Sequence, residues 1–147
     1  MPEIAPQSVM RWRQLCEEWA AKYPNLIWQE ICASLSTEST GNPLAFNHGD
    51  PSWGLFGVER PIAETTQYGG PGFAPGDDSW KTDPEKNASC AVPFLAHLQK
   101  EFGNCDPPYG WIGAYNCGET QFRKGFRDGP YVTMWTNRLM QINSSMA

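Results

Sequence analysis

Residues 26–35 limit the possible folds of this chain more than any other segment. Apolar side chains fall there on nearly every side of a helix: Leu26, Ile27, Trp28, Ile31, Cys32, Ala33 and Leu35. A helix that is apolar all round is buried, so we expect a central helix with other elements packed around it. The helix is predicted to continue through residues 36–40 and to stop at Gly41-Asn42-Pro43.

The apolar residues of the remaining chain are also spaced mostly as in helices. Helices are predicted over 8–23, from Pro61 to about Tyr68, over 83–102, within 109–117 and from about Pro130 onwards, with one or two helical turns in 119–126. Pro93 lies inside one of these segments and predicts a kink or a break into two helices. Residues 41–53 and 69–79 are expected to be loops. Alternating strand patterns are nearly absent, so we predict a mainly α fold in a single domain over residues 1–147.

The composition favours a folded domain and disfavours two classes of partner. Leu, Ile, Val and Phe are scarce, but seven Trp, five Tyr and a net charge of only −5 argue against disorder. The acidic excess disfavours nucleic acid as a partner, because duplex binding depends on Lys and Arg facing phosphates. No apolar run approaches the roughly 20 residues of a membrane helix, so membrane insertion is not expected. The first residues show no signal peptide.

The five cysteines do not indicate a metal site. Their spacings fit no zinc pattern, and only His48 and His97 could add imidazole ligands. We therefore expect no metal and no cofactor. The favoured interpretation is that the cysteines are buried small apolar residues, with some disulfide pairing as the alternative.

Glu38 stands out because the buried helix delivers it at its C-terminal end. The helix dipole there disfavours negative charge, and burial disfavours the ionised form, so both effects would raise its pKa. The alternative is a solvated, inert surface carboxylate.

The other candidates for chemistry lie in the loop Asn47–Phe56 and at Tyr115-Asn116. The chain contains neither the serine elbow of hydrolases nor a phosphate-binding Walker loop. What remains is a carboxylate with aromatic and amide neighbours, which suits a carbohydrate. Rings stack on sugar faces, amides pair with hydroxyl and N-acetyl groups, and a protonated carboxyl can supply the proton for glycosidic cleavage.

Four motifs in this order resemble the catalytic domain of the soluble lytic transglycosylase family. They are Glu38-Ser39-x-x-Asn42-Pro43-x-Ala45, Gly49-Asp50-x-Ser52-x-Gly54-Leu55-Phe56, the segment from Asp83-Pro84 to Leu95 with Asn87 in place, and Ala114-Tyr115-Asn116-Cys117-Gly118. Tyr131 lies near the position of a late tyrosine in that family. The resemblance covers residues 30–131.

The resemblance implies a lysozyme-like fold with a substrate cleft beside the buried central helix. It also implies cleavage of the β-1,4 bond between N-acetylmuramic acid and N-acetylglucosamine in peptidoglycan. Glu38 would be the single acid/base, and the muramoyl C6 hydroxyl would attack C1 to give a 1,6-anhydro product. The residues implied to contact substrate are Ser39, Asn47, Ser52, Phe56, Tyr115, Asn116 and Tyr131.

The chain departs from the family pattern at substrate-facing positions. Phe56 and Gly57 replace a methionine and a glutamine, and Asn47 replaces a serine. Goose-type lysozymes share the fold and motifs but hydrolyse with inversion, using acidic residues that Asp50 and Glu59 would match. The alternative to a catalytic role is that Asp50 only helps to form the loop and that Glu59 is an exposed charge paired with Arg60.

A third alternative is a catalytically weak cell-wall-binding or virion module that kept the fold. The peptidoglycan glycan strand is the expected partner in every case, and a monomer is expected. The lack of a visible signal peptide predicts a phage-type lysis enzyme, made in the cytoplasm and released through membrane holes or carried in the particle.

Overall fold

The computed structural model describes residues 3–105 and 108–146. In these residues it contains eight α-helices and one two-stranded antiparallel sheet. In chain order the elements are α1 (Gln7–Met10), α2 (Arg13–Ala20), α3 (Trp28–Ser39), β1 (Phe46–Asn47), β2 (Ser52–Trp53), α4 (Arg60–Ala63), α5 (Pro84–Phe102), α6 (Gly113–Cys117), α7 (Glu119–Arg123) and α8 (Gly129–Ser144). Short 3₁₀ turns lie at Ser79–Lys81 and Gly110–Ile112. The predicted mainly α class is confirmed.

Helix α3 is the predicted central helix. Every residue from Ile31 to Ser36 is buried, so the helix has no solvent face along this stretch. Helix α8 packs along it, and the Trp135 indole N–H donates to Ser34 Oγ at 2.9 Å. The buried apolar residues of the surrounding helices join those of α3 in one hydrophobic cluster.

Two predicted helices are shorter than expected. The 8–23 segment divides at Arg11-Trp12, where both side chains donate to the Gly41 carbonyl oxygen at 2.9 Å and the Trp12 amide bonds only three residues back, to Val9. The helix predicted from Pro61 to about Tyr68 ends at Ala63. Beyond it, the Thr65 hydroxyl accepts the Gln67 N–H at 3.0 Å, a local bond that competes with helix continuation.

Helix α5 runs through Pro93 without a break, so of the two predicted outcomes, a kink or a break into two helices, the break is wrong. The helix starts as expected, because the Asp83 side chain caps it by accepting the Lys86 N–H at 3.0 Å. Pro93 leaves the Ser89 carbonyl without its helical donor. The chain at Gly70 packs over this turn, since a Cβ added there would lie 3.4 Å from that carbonyl oxygen.

The predicted loop 41–53 contains the small sheet. Phe46 pairs with Trp53 and Asn47 with Ser52. Trp53 also exchanges backbone hydrogen bonds with Val58, at 3.0 and 2.9 Å. The β1–β2 hairpin is thereby fixed to the segment Gly54–Gly57.

All five cysteines lie in the described part of the chain, and all are free thiols. Cys16, Cys32 and Cys90 are buried, as the favoured interpretation predicted, whereas Cys105 and Cys117 are partly exposed. No described helix combines the length and the apolar character required to cross a bilayer.

Candidate active site

Glu38 is the penultimate residue of α3 and is half-buried. Its carboxylate Oε2 accepts a hydrogen bond from the Tyr131 hydroxyl, which α8 supplies. The helix ends just beyond it because Thr40 and Gly41 adopt left-handed φ angles of 52° and 87°. Gly41 cannot be replaced freely, because an added Cβ would overlap the Ser8 carbonyl group.

Burial raises the pKa of Glu38 to about 7. The hydrogen bond from Tyr131 opposes this rise, and the negative charge of Glu59 adds to it. The predicted direction is confirmed, with burial as the largest cause, and the alternative of a solvated surface carboxylate is wrong. A carboxyl group with a pKa near 7 can serve as an acid and as a base at neutral pH.

The backbone of Gly57 forms one side of the Glu38 cradle, by which we mean Glu38 together with Gly57 and Tyr131. Gly57 has a φ of 59°, and an added Cβ would overlap Glu38 Oε1 and lie 3.1 Å from its Cδ. Only a residue without a side chain allows the main chain to approach the carboxylate this closely. The sequence showed Gly57 merely as a departure from the family pattern.

Asn87 holds the loop that presents Gly57. This buried side chain on α5 accepts the Phe56 N–H at 2.9 Å and donates to the carbonyl oxygens of Trp53 and Trp80, each at 2.9 Å. Its three bonds tie the loop to α5 and to the 3₁₀ turn. Asn87 was recognised as part of a motif, but the contact that explains it spans 31 residues and was not predicted.

Tyr115 forms the wall beside the cradle. Its hydroxyl donates to the Phe56 carbonyl oxygen at 2.6 Å. Burial, and then the negative charge of Glu38, raise the pKa of Tyr115 well above its ordinary value. Burial and the charge of Glu38 likewise raise the pKa of Tyr131. Both phenols therefore remain neutral hydrogen-bond donors near the carboxylate.

A cavity of about 120 Å³ opens next to the Glu38 cradle. Its lining includes Gly57, Glu59, Ile62, Tyr115, Asn116 and Cys117. Gly57 and Tyr115 belong to both the cavity and the surroundings of Glu38. The cavity is a recess between the Gly57 loop, α4 and α6, and its lining includes no residue of α3. A substrate cleft beside the central helix stays a prediction.

Asp50 and Glu59 are both exposed, and Glu59 lines the cavity. Burial raises the pKa of Glu59, and the negative charge of Asp50 raises it further. The expected pairing of Glu59 with Arg60 is wrong, because the Arg60 guanidinium donates to Glu64 and Asp78, each at 3.1 Å. Within residues 3–105 and 108–146, none of the ion pairs includes Glu59.

Comparison with known protein families decides where this arrangement belongs. The model of the transglycosylase SLT domain matches residues 14–131, about four-fifths of the chain. The chain belongs to the transglycosylase SLT domain family. At the level of the family, the activity is cleavage of glycosidic bonds in peptidoglycan, and the fold is lysozyme-like. No curated protein matches the chain.

The SLT match includes Glu38, Gly57 and Tyr115, and it ends at Tyr131. The structure therefore brings Glu38 and the last residue of the matched segment, Tyr131, together at one carboxylate. Tyr131 and Tyr115, both predicted from the motifs, lie at the site. Asn116 is exposed beside the cavity, and its amide donates to Asp128 at 2.7 Å.

Other residues that were predicted to contact substrate have different roles in the structure. Ser39 donates to the Leu35 carbonyl oxygen at 3.0 Å and accepts the Gly41 N–H at 3.1 Å, so its hydroxyl helps to end α3. The Phe56 side chain has no exposed surface, so the expectation that it contacts substrate does not fit; its backbone serves the site instead.

The hairpin carries the last two predicted residues. Asn47 is exposed on β1, and its Oδ1 accepts the Gly49 N–H at 3.0 Å. Ser52 is buried in β2 opposite Asn47. Among the residues that the structure describes, no cluster of three or more His, Cys, Asp or Glu side chains could hold a metal ion.

Proposed function

We propose that this chain cleaves the β-1,4 bond between N-acetylmuramic acid and N-acetylglucosamine by intramolecular transglycosylation, with Glu38 as the only acid/base. The observation that carries the proposal is the state of Glu38. It is a half-buried carboxyl with a pKa of about 7, held by a phenol and by a glycine backbone next to an open cavity.

In the proposed reaction, Glu38 first donates a proton and later accepts one. Protonated Glu38 transfers its proton to the glycosidic oxygen as the bond to C1 breaks. The resulting carboxylate is stabilised by the Tyr131 hydroxyl. It then removes the proton from the muramoyl C6 hydroxyl, whose oxygen attacks C1. The product is a 1,6-anhydro sugar, and Glu38 is protonated again.

Hydrolysis with inversion is the second candidate, because further carboxylates influence Glu38. The negative charge of Glu59 raises the pKa of Glu38, and the negative charge of Asp50 raises the pKa of Glu59. An inverting enzyme needs a second carboxylate about 6.5–9.5 Å from the acid to activate water. Glu59, which lines the cavity, would be this base.

Mass spectrometry of digested peptidoglycan distinguishes the two reactions. Anhydro ends are one water lighter than reducing muramoyl ends, and we expect anhydro ends from the wild-type chain. We also expect Glu59→Gln and Asp50→Asn to leave this product unchanged. Reducing ends that disappear in Glu59→Gln would overturn transglycosylation and establish hydrolysis.

Glu38→Gln tests the assignment of the acid. We expect it to abolish fragment release while binding to insoluble peptidoglycan persists, with an unchanged circular dichroism spectrum. Full activity of this variant would refute the role of Glu38. Binding without fragment release by the wild-type chain would instead indicate a cell-wall-binding module. The route to the cell wall, the phage origin and the monomeric state stay predictions.

A further inference from the structure

The β1–β2 hairpin carries a group of aromatic rings outside the Glu38 cradle. Phe46 keeps 42% of its surface exposed while its ring stacks on Trp53, with centroids 5.2 Å apart and planes 26° apart. The His48 ring meets Phe46 edge-on, with centroids 4.3 Å apart. We call Phe46, His48 and Trp53 the hairpin platform. An exposed ring on a two-residue strand contributes little buried area, so folding alone does not account for it.

Two further side chains pack against the Trp53 ring of the platform. Trp53 packs edge-on against the fully buried Trp80, with centroids 5.5 Å apart. The Lys81 ammonium lies 4.3 Å from the Trp53 ring centroid, which adds a cation–π contact. A ring that is already held in place loses little conformational freedom when it binds a ligand.

Backbone pairing connects the platform to the segment that contacts Glu38. Phe46 pairs with Trp53, Trp53 pairs with Val58, and Val58 directly follows Gly57 of the cradle. Neighbouring strands lie about 4.8 Å apart, so Phe46 is about two strand spacings, roughly 10 Å, from the segment that contacts Glu38. A long polymer bound at Glu38 can therefore reach the platform.

Resting on the proposed function, we propose that Phe46, stacked on Trp53, forms an additional sugar subsite that binds the glycan strand away from the cleaved bond. The C–H face of a pyranose ring packs well on the electron-rich face of an aromatic ring. Asn47 and His48 next to it offer polar groups for hydroxyl and N-acetyl substituents. This combination of one ring and a few polar groups fits a sugar better than the large apolar patch of a protein interface.

Chito-oligosaccharides from chitobiose to chitohexaose, titrated into the Glu38→Gln protein by calorimetry, test this subsite. Phe46→Leu, added to that protein, keeps an apolar side chain but removes the ring. We expect it to weaken binding of the longest oligosaccharides about three- to tenfold and to leave chitobiose unaffected. Phe46→Trp should restore the affinity. Phe126→Leu, which removes another exposed ring, is the matched control and should change nothing.

The outcomes separate this inference from the proposed function. Equal affinities of the Phe46→Leu and parent proteins for long oligosaccharides, with normal cleavage of peptidoglycan by the otherwise wild-type chain, would overturn the subsite alone. A loss that is equal at every length would also overturn it, since it would show a general effect on the hairpin. Absence of both oligosaccharide binding and peptidoglycan cleavage in the parent chains would overturn both.

Discussion

At the scale of single residues, the chemistry of Glu38 depends on what surrounds its carboxylate. Burial disfavours the charged form, whereas the Tyr131 hydroxyl favours it, and the balance gives a pKa of about 7. Gly57 allows the main chain to close over the carboxylate without a side chain in between. The reactivity that we propose for Glu38 is thus a property of its neighbours as much as of the residue itself.

We expect Gly57→Ala to remove most of the peptidoglycan-cleaving activity. The added methyl group overlaps the Glu38 carboxylate, which must move, and a displacement of about 1 Å can lower a rate on the order of 100-fold. The left-handed backbone adds a folding cost of about 1–2 kcal/mol. Fragment release and urea unfolding measure the two effects.

Gly76→Ala is the matched control. Gly76 also has a left-handed φ, of 91°, but a Cβ there meets nothing within 4 Å. This variant should have the same kind of backbone strain while keeping full activity. Equal losses of activity in both variants would show that strain, and not the contact with Glu38, is responsible.

At the scale of elements, α5 positions the site through the single buried side chain of Asn87. The residues Gly54–Gly57 lie outside the sheet, and besides one backbone bond to Ala45 and the bond from the Tyr115 hydroxyl, the three Asn87 hydrogen bonds hold their shape. A stable helix thereby fixes a loop that would otherwise have several conformations.

Asn87→Ala should lower the free energy of unfolding by about 2–4 kcal/mol, because it leaves the buried Phe56 N–H and the buried Trp80 carbonyl oxygen without partners. The Trp53 carbonyl oxygen still accepts the Val58 N–H. Activity should fall as well, since the Gly57 loop loses its anchor. Asn25→Ala is the control, because the Asn25 amide also makes two hydrogen bonds, to Ala96 and Gln99, but at an exposed position. Urea unfolding should show a loss below about 1 kcal/mol for this control. Similar losses in both variants would contradict the anchoring role.

Sequence reasoning succeeded where the signal is local. The run of apolar residues at 26–35 predicted a buried α3, and Asp83-Pro84 predicted the start of α5, because both depend on neighbouring residues. The division of the 8–23 segment was missed, since it depends on hydrogen bonds from Arg11 and Trp12 to the distant Gly41.

The same distinction applies to the site. The raised pKa of Glu38 follows from its place at the end of a buried helix, so its direction was predictable. The contact with Gly57 and the anchoring by Asn87 join separate elements, and no local pattern reveals them. For Phe56, a motif position indicated substrate contact, but the side chain turns into the core and only its backbone reaches Tyr115.

At the scale of the whole molecule, the properties of Glu38 are tied to folding. Its partner Tyr131 is 93 residues away in sequence, and the packing of α8 on α3 brings the two together. In the unfolded chain the carboxyl is solvated and returns to its ordinary pKa. Any difference in pKa between the two states makes stability depend on pH.

The wild-type chain should therefore lose stability between pH 4.5 and about 7, relative to Glu38→Gln. Below pH 4.5 both the folded and the unfolded chain hold the proton, so ionisation costs nothing. As pH rises towards 7, the unfolded chain releases the proton first, which favours unfolding by up to about 3 kcal/mol. Gln cannot ionise but still offers an oxygen to Tyr131. Urea unfolding of both proteins from pH 4 to pH 9, with unchanged denaturant slopes, should show diverging stabilities. Parallel curves would mean that Glu38 ionises as easily in the folded chain as in water.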